Sequence, residues 1–359
     1  MKQARHLPSG KDLAFRLAGL LLLAASFVGA WVVMDFQAFR AEPLPIPEDG
    51  VTLIVPPGAN LKRVARQLRD QGLLEQPAYL VWLGRYLGLD AHIKAGEFRL
   101  TAGINPEQLL EQLNRGQVVQ HELTLIEGET FKEMMQRIAA DKVLQHTLAT
   151  TDADSVMSAL GYPDMNPEGR FLPETYYFPR GTTDVDFLRR AYADMQAFLQ
   201  QAWAQRDDGL PLKSPYEALT LASIVEKETG VAAERPQIAG VFIRRLEKGM
   251  KLQTDPTVIY GMGDRYDGDI RFRDLRTDTA YNTYTRFGLP PTPIAMPGKD
   301  AILAVLHPAD GKTLYFVATG LGDGSHKFSE TKAEHDVAVR EYLQRLRNNR
   351  TRNSNEQGN

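Results

Sequence analysis

The amino-acid sequence predicts an α+β fold class: a single N-terminal transmembrane helix, a small α+β subdomain and a larger α+β domain. Three observations carry this. Leu17 to Met34 is an apolar run of 18 residues without a charge. A strand, a glycine turn and an amphipathic helix then recur three times before residue 140. Beyond that point helical periods alternate with proline- and aromatic-rich loops.

The apolar run comes first. As a helix it extends about 27 Å, enough to cross a hydrocarbon core. Lys2, Arg5, Lys11 and Arg16 precede it and Asp35 follows, so the positive-inside rule keeps residues 1–16 in the cytoplasm and exports the rest. Val28-Gly29-Ala30 would also serve as a signal cleavage site, and that alternative stays open. The run nevertheless continues through Trp31-Val32-Val33-Met34, which favours a retained single-pass anchor with the bulk of the chain outside the cytoplasmic membrane.

Ala41 to Gly50 holds Pro43, Pro45 and Pro47 and reads as a stiff spacer. Val51–Val55 reads as a strand, Pro56–Asn60 as a turn, and Leu61, Val64, Ala65 and Leu68 as a helix face. Phe98–Thr101, the Gly103 turn and Leu109, Leu110 and Leu113 repeat this, as do Leu123–Ile126, the Gly128 turn and Phe131, Met134, Met135 and Ile138. Gln76–Leu89 adds a helix. The turn glycines are unevenly spaced, which argues against a solenoid. No acids, histidines or nucleophiles cluster between residues 50 and 122, so this unit reads as a scaffold or a small binding module. Ile54-Val55-Pro56-Pro57-Gly58, with Leu61, Val64 and Ala65, resembles the strand-turn-helix of LysM modules, which bind aminosugar glycans.

Residues 141–160 read as helix, 167–179 as an ordered loop, and Phe187–Arg206 and Glu234–Lys248 as amphipathic helices. Gly288–Gly298 carries four prolines and must be extended. Leu314–Ala318 reads as a strand, and the polar tail from about Arg347 as disordered.

Composition excludes several classes of function. A net charge of −3 offers no basic surface for nucleic acid. The absence of cysteine rules out a disulfide scaffold, a thiolate zinc site and a cysteine nucleophile. There is no Gly-x-Ser-x-Gly elbow, P-loop, dinucleotide fingerprint or His-Glu-x-x-His. His326 and His335, with Glu330 and Glu334, place no two ligands on one helical face, so neither a metal nor a cofactor is expected.

Acid-base chemistry by carboxylates remains, and it concentrates on Ser214–Gly230. Ser214, Pro215 and Glu217 read as a capping box with proline at the first helical position, and Gly230 as a left-handed stop. Ala218, Leu219, Leu221, Ala222, Ile224 and Val225 cover more than half the helix circumference, which implies burial on more than one side. Glu226 falls within that arc and Glu228 at its flank, diverging by roughly 160°. A carboxyl among aliphatic neighbours holds its proton toward neutral pH, as a general acid must. A buried ion pair with Arg235, Arg244 or Arg245 is the alternative for either glutamate. The surrounding Tyr, Asn, Gln and Thr side chains suit a sugar, whose faces stack on rings and whose hydroxyls need dense hydrogen bonding.

Leu221 to Glu228, Glu234-Arg235, Val241–Leu246, Met250–Gly261, Tyr281–Tyr284 and Gly288–Pro291 together closely resemble the YceG-like endolytic murein transglycosylases, the MltG family. The anchor and Glu168-Gly169 through Tyr176 fit the same pattern, and the likeness spans residues 36–345. Thr292 and Met296 depart from the family's usual loop. The resemblance implies an inner-membrane enzyme that cuts nascent peptidoglycan within the glycan strand, at the MurNAc-GlcNAc β-1,4 bond, leaving a 1,6-anhydro-N-acetylmuramic acid end. It places the catalytic glutamate at Glu226, as proton donor and then base toward the C6 hydroxyl. Candidate substrate contacts are Gln253, Thr254, Asp255, Tyr281, Asn282, Tyr284, Glu174 and Tyr176, of which about half are expected to be structural. The resemblance also implies a LysM-like subdomain and partners among the peptidoglycan synthases. The expected layout is residues 1–16 cytoplasmic, 17–34 transmembrane, 35–49 linker, 50–122 LysM-like, 123–346 catalytic and 347–359 tail. A hydrolytic muramidase and a non-catalytic, membrane-anchored peptidoglycan-binding protein remain as alternatives.

Overall fold

A computed structural model of the chain describes the backbone of residues 10–356 and the side chains of residues 14–348. It divides into two compact units, one ending at His121 and one beginning at Glu122. The expectation of a cytoplasmic segment falls largely on residues 1–9, outside the described ones.

In the first unit, helix α1 (Gly10–Ala41) contains the apolar run, and its stretch from Ala14 is long and apolar enough to cross a membrane, at a mean hydropathy of 2.3. The helix does not stop at Met34. Asp35 accepts a hydrogen bond from the Tyr79 hydroxyl at 2.7 Å, Phe36 and Phe39 meet the edge of the same ring, and Arg40 Nη2 donates to Glu107 at 2.8 Å. These contacts hold residues 35–41 helical, which corrects the linker expected at 35–49. The proline-rich stretch is no free spacer either. Leu44 and Ile46 are buried, and the Leu44 amide donates to the Ile104 carbonyl at 2.9 Å.

Strands β1 (Val51–Val55) and β2 (Gly96–Leu100) pair antiparallel, with Val51 opposite Leu100. Helices α2 (Leu61–Asp70) and α3 (Pro77–Tyr86) lie between them in the chain, and α4 (Pro106–Arg115) follows. Asn60 caps α2, and Asn105 with Gln108 forms a capping box on α4. Alternation along the strands turns Leu53, Val55, Phe98 and Leu100 inward onto Val64, Leu68, Leu80, Leu83 and Leu110.

The third strand-turn-helix pairs elsewhere. β3 (Gln120–Thr124) lies beside β4 (Thr175–Pro179), and α5 (Phe131–Ala140) packs with α6 (Ala153–Leu160) and α7 (Asp184–Ala204) around Phe171 and Tyr176. The helix expected over 141–160 forms only from Ala153. Asp141 ends α5 by accepting from the Val143 and Leu144 amides, both at 2.8 Å, and the next helix waits for the Asp152 cap.

Helix α8 (Pro215–Glu228) is the centre of the second core, against α7, α9 (Arg235–Glu247) and α12 (Lys299–Leu306). Every residue from Ala218 to Val225 is buried. Truncating Leu219 or Leu221 to alanine there would cost about 2–5 kcal/mol. Ser214 Oγ accepts from the Glu217 amide, but the Glu217 carboxylate turns to the Lys213 amide, so only half of the expected capping box forms. Nor does Gly230 provide a left-handed stop. Thr229 leaves the helix extended, buried, with its hydroxyl accepting from the Val231 amide at 2.9 Å. Helices α10 (Asp255–Met262) and α11 (Phe272–Arg276) precede the extended stretch to Gly298. β5 (Tyr315–Ala318) and β6 (His326–Ser329) then form an antiparallel pair, and α13 (Lys332–Glu356) ends the described chain. That helix carries through residues 347–356, where a disordered tail was expected; residues 357–359 lie outside the description.

Candidate functional site

The last turn of α8 delivers Glu226 to the junction of three segments. Ser223, one turn earlier, receives the Ile294 amide on its hydroxyl at 3.0 Å, which fastens the extended stretch along α8. Four residues later in that stretch, the Gly298 amide donates to Glu226 Oε2 at 3.0 Å. Gly298 is the N-cap of α12, so the carboxylate also faces the positive end of that helix. On its other side Arg235, the first residue of α9, donates from Nη2 to Glu226 Oε1 at 3.1 Å.

Burial of Glu226 is therefore as expected, its side chain being 6% exposed, but it is buried with a cation. The ion-pair alternative is the one the fold adopts.

Arg235 reaches two further acids. Nη2 lies 3.6 Å from Glu127 Oε2 and Nη1 lies 3.4 Å from Asp300 Oδ2. Glu127 sits on the turn between β3 and α5, where left-handed Gly128 exchanges backbone hydrogen bonds with the extended stretch: Gly128 to Met296 at 2.8 Å and Met296 to Glu129 at 2.7 Å. Lys227 donates to the Gly128 carbonyl at 3.0 Å. Partial burial raises the Glu127 carboxyl pKa above its ordinary value, and the charge of Glu226 adds to this against the pull of Arg235. Glu127 is 46% exposed and Asp300 71%, so the cluster opens to solvent on their side.

Glu228 points elsewhere. It accepts from the Thr254 hydroxyl, and desolvation pushes its carboxyl up to about 7, with Asp255 adding to the rise. The residue keeps some accessible surface while the carboxyl itself is enclosed; the enclosure governs its protonation. Of the two α8 glutamates, Glu228 meets the proton-holding condition set from the sequence. Asp255 next to it accepts from the Tyr284 hydroxyl at 2.6 Å.

The eight proposed substrate contacts therefore divide. Thr254, Asp255 and Tyr284 gather near Glu228, Gln253 precedes them in the chain with its amide on the Thr283 carbonyl, and Glu174 lies on the Glu226 side, paired with Lys299 at 2.9 Å and held below its usual range by that bond. Tyr281 stands apart, its hydroxyl hydrogen-bonded to Thr292 at 2.9 Å and its ring edge-on to Tyr260. Three are structural in this fold. Asn282 is 1% exposed and spends its amide on the carbonyls of Asp274, Leu275 and Thr277. Tyr176 is a core residue whose hydroxyl meets the Leu172 carbonyl, and Thr254 is buried. A cavity of about 530 Å³, lined by Ser214, Tyr216, Phe287 and Pro291 among others, lies at the opposite end of α8 from Glu226.

The sequence reading missed Glu127 and Asp300, and treated Arg235 only as a neutralising partner. Glu127 had a signal: an acid directly before a turn glycine that must take φ +76°. Glu168 was also passed over. It is 4% exposed, accepts from the Phe131 amide at 2.9 Å and the Tyr260 hydroxyl at 3.0 Å, and is pushed up to about 7 by burial.

The fold and these clusters define a class: a mixed α+β protein, with a candidate membrane helix, that gathers carboxylates around one arginine at the end of α8. Comparison with known proteins gives the family. The model of the YceG-like family matches residues 53–341, and the chain belongs to that family. It is 28% identical over 320 residues to the endolytic murein transglycosylase of Bacillus subtilis (strain 168), covering 83% of this chain and 87% of that one. It is 27% identical over 366 residues to the endolytic murein transglycosylase of Streptococcus pneumoniae serotype 2 (strain D39 / NCTC 7466), covering 92% of this chain but only 65% of the pneumococcal protein. A solved yceG-like protein from Listeria monocytogenes is 27% identical, with a TM-score of 0.49 over 81% of this chain and 99% of that one.

Proposed function

We propose that this chain is an endolytic murein transglycosylase. The family match over residues 53–341, with relatives of that name, carries the reading. The reaction breaks the MurNAc-GlcNAc β-1,4 bond inside a glycan strand and closes a 1,6-anhydro ring in place of adding water. It needs a proton for the leaving oxygen and a carboxylate to take one from the C6 hydroxyl.

Glu226 is the carboxylate we assign to this chemistry. Its contacts with Arg235 and the Gly298 amide fix its orientation, and it serves first as proton donor to the leaving oxygen and then as base toward the C6 hydroxyl. Gln253, Asp255, Tyr281, Tyr284 and Glu174 are the contacts that retain accessible surface for a sugar. The apolar part of α1 anchors the chain in the inner membrane with both units in the periplasm, beside the peptidoglycan synthases. The order β1-α2-α3-β2, with its strands antiparallel, supports a LysM-like role for the first unit.

The test is a digest of purified glycan strands by wild-type and Glu226→Gln protein, read by mass spectrometry. Products one water lighter than muramidase products, absent with the variant, are expected. Hydrolytic products would make the protein a muramidase, and undiminished cleavage by the variant would remove Glu226 from the mechanism. A second reading makes Glu228 the donor, because it holds a proton near neutrality beside Thr254 and Asp255.

A further inference from the structure

Helix α3 is apolar on both sides. Leu80 and Leu83 are fully buried in the core of the first unit, yet Ala78, Trp82 and Tyr86 form a stripe at four-residue spacing on the opposite face, where Trp82 is 51% exposed and Tyr86 73%. The helix contains no acid, and its one cation, Arg85, lies on the same outer face with more than half of its side chain exposed. A surface helix in water carries charge on its outer side. Two large rings with an arginine beside them match the bilayer interface instead, where aromatic rings sit half immersed and a guanidinium meets phosphate.

What adjoins this stripe identifies its occupant. Trp82 stacks on Tyr79 at 5.5 Å between ring centroids, and Tyr79 in turn holds the end of α1 through Asp35, Phe36 and Phe39. Helix α1 is unbroken from Gly10 to Ala41, so Phe36 and Phe39 stand about 3 and 7.5 Å along its axis beyond Met34, where the uncharged run ends. Each interfacial layer of a bilayer is about 5–8 Å thick. The run, about 27 Å long, falls slightly short of a hydrocarbon core of about 30 Å, which draws the end of α1 inward and does not lift it clear. The Tyr79 and Trp82 rings thus come to the depth of the lipid headgroups. Arg40, donating to Glu107 on α4 at 2.8 Å, is a second fastening, so no hinge after Met34 lets the unit swing away.

We propose that the outer face of α3 is a membrane-surface contact: with α1 across the bilayer, Trp82 and Tyr86 sit among the lipid headgroups and Arg85 meets lipid phosphate. This rests on the anchor reading above. A lone spanning helix fixes only where a chain crosses, and leaves it free to rotate about the helix axis. A second contact to one side of that axis stops the rotation and seats the first unit on the leaflet from which α1 emerges.

The chain has three tryptophans, Trp31, Trp82 and Trp203, so Trp31→Phe with Trp203→Phe leaves Trp82 as the reporter while keeping an apolar ring at both positions. The full chain in this form is reconstituted into phosphatidylcholine vesicles whose lipids carry bromine either near the top of the acyl chain or near its end. We expect the shallow bromines to quench Trp82 emission by about a third or more, and about twofold more than the deep ones. A second form, Trp82→Phe with Trp203→Phe, reports from Trp31 inside the apolar run. If lipid bromine leaves Trp31 unquenched, the anchor reading fails and this inference with it. If Trp31 is quenched and Trp82 loses less than about one-tenth of its emission, this inference alone is overturned. That holds whether the Trp82 spectrum is that of an indole in water or is shifted to the blue by a second copy of the chain.

Discussion

The Gly298 amide donates to Glu226 Oε2 at 3.0 Å across 72 positions of sequence, tying the end of α8 to the start of α12. Through this bond a glycine in a proline-rich loop becomes part of the candidate site. Gly298→Ala should keep the fold within about 1 kcal/mol, because Glu127, whose carboxylate a Cβ there would meet, can swing to solvent. The rate of anhydro-end release should nevertheless fall by about tenfold or more. A wild-type rate would show that the placing of Glu226 by Gly298 is immaterial.

Glu228 and Glu226 make opposite predictions. Glu228 already holds a proton near neutrality, so Glu228→Gln preserves its charge state and should retain at least about a third of the wild-type rate at pH 6. Glu226→Gln should lose about 100-fold or more. Side-by-side digests decide, and the reverse order would move the chemistry to the Thr254 side.

Glu168 predicts a pH dependence of stability. Its carboxyl is raised from 4.5 to about 7 in the fold, so the folded state binds more protons than the unfolded one between those values. The stabilisation it brings is full below about pH 4.5 and is lost as pH rises through about 7, Glu228 acting in the same direction. Glu168→Gln should flatten the fall in Tm over this interval by a few degrees, measured by calorimetry of the wild type and variant.

In the first unit, Tyr79 joins the end of α1 to α3 through Asp35, Phe36, Phe39 and a stacked Trp82. Tyr79→Ala should cost about 2–4 kcal/mol and free the chain after Met34. Limited proteolysis would then cut between residues 35 and 50, where the wild type resists.

Much of this architecture was legible because it is written in local chemistry. Turn glycines and helical periods identified β1, α2, α4, α5 and α8 at close to their final bounds, since caps and amphipathic faces depend on neighbours in sequence, and the uncharged run found α1 but not its ends. The burial of Glu226 followed from its place on the helical wheel. Its partner did not. Whether a buried carboxyl meets aliphatic side chains or a guanidinium depends on which other helix crosses it, and only tertiary packing brought Arg235 there. Packing likewise bonded Gln145 to Thr182 and Thr147 to Asp184, where helix was expected, and laid the Pro43–Pro47 stretch onto its own unit. The sequence by itself determined which elements form and that an α8 glutamate is enclosed, because these rest on short-range spacing. The tertiary structure alone decided that Glu226 shares one arginine with Glu127, because that arrangement needs the turn at Gly128 to converge on the distant connection from α8 to α9, and no local pattern encodes their meeting.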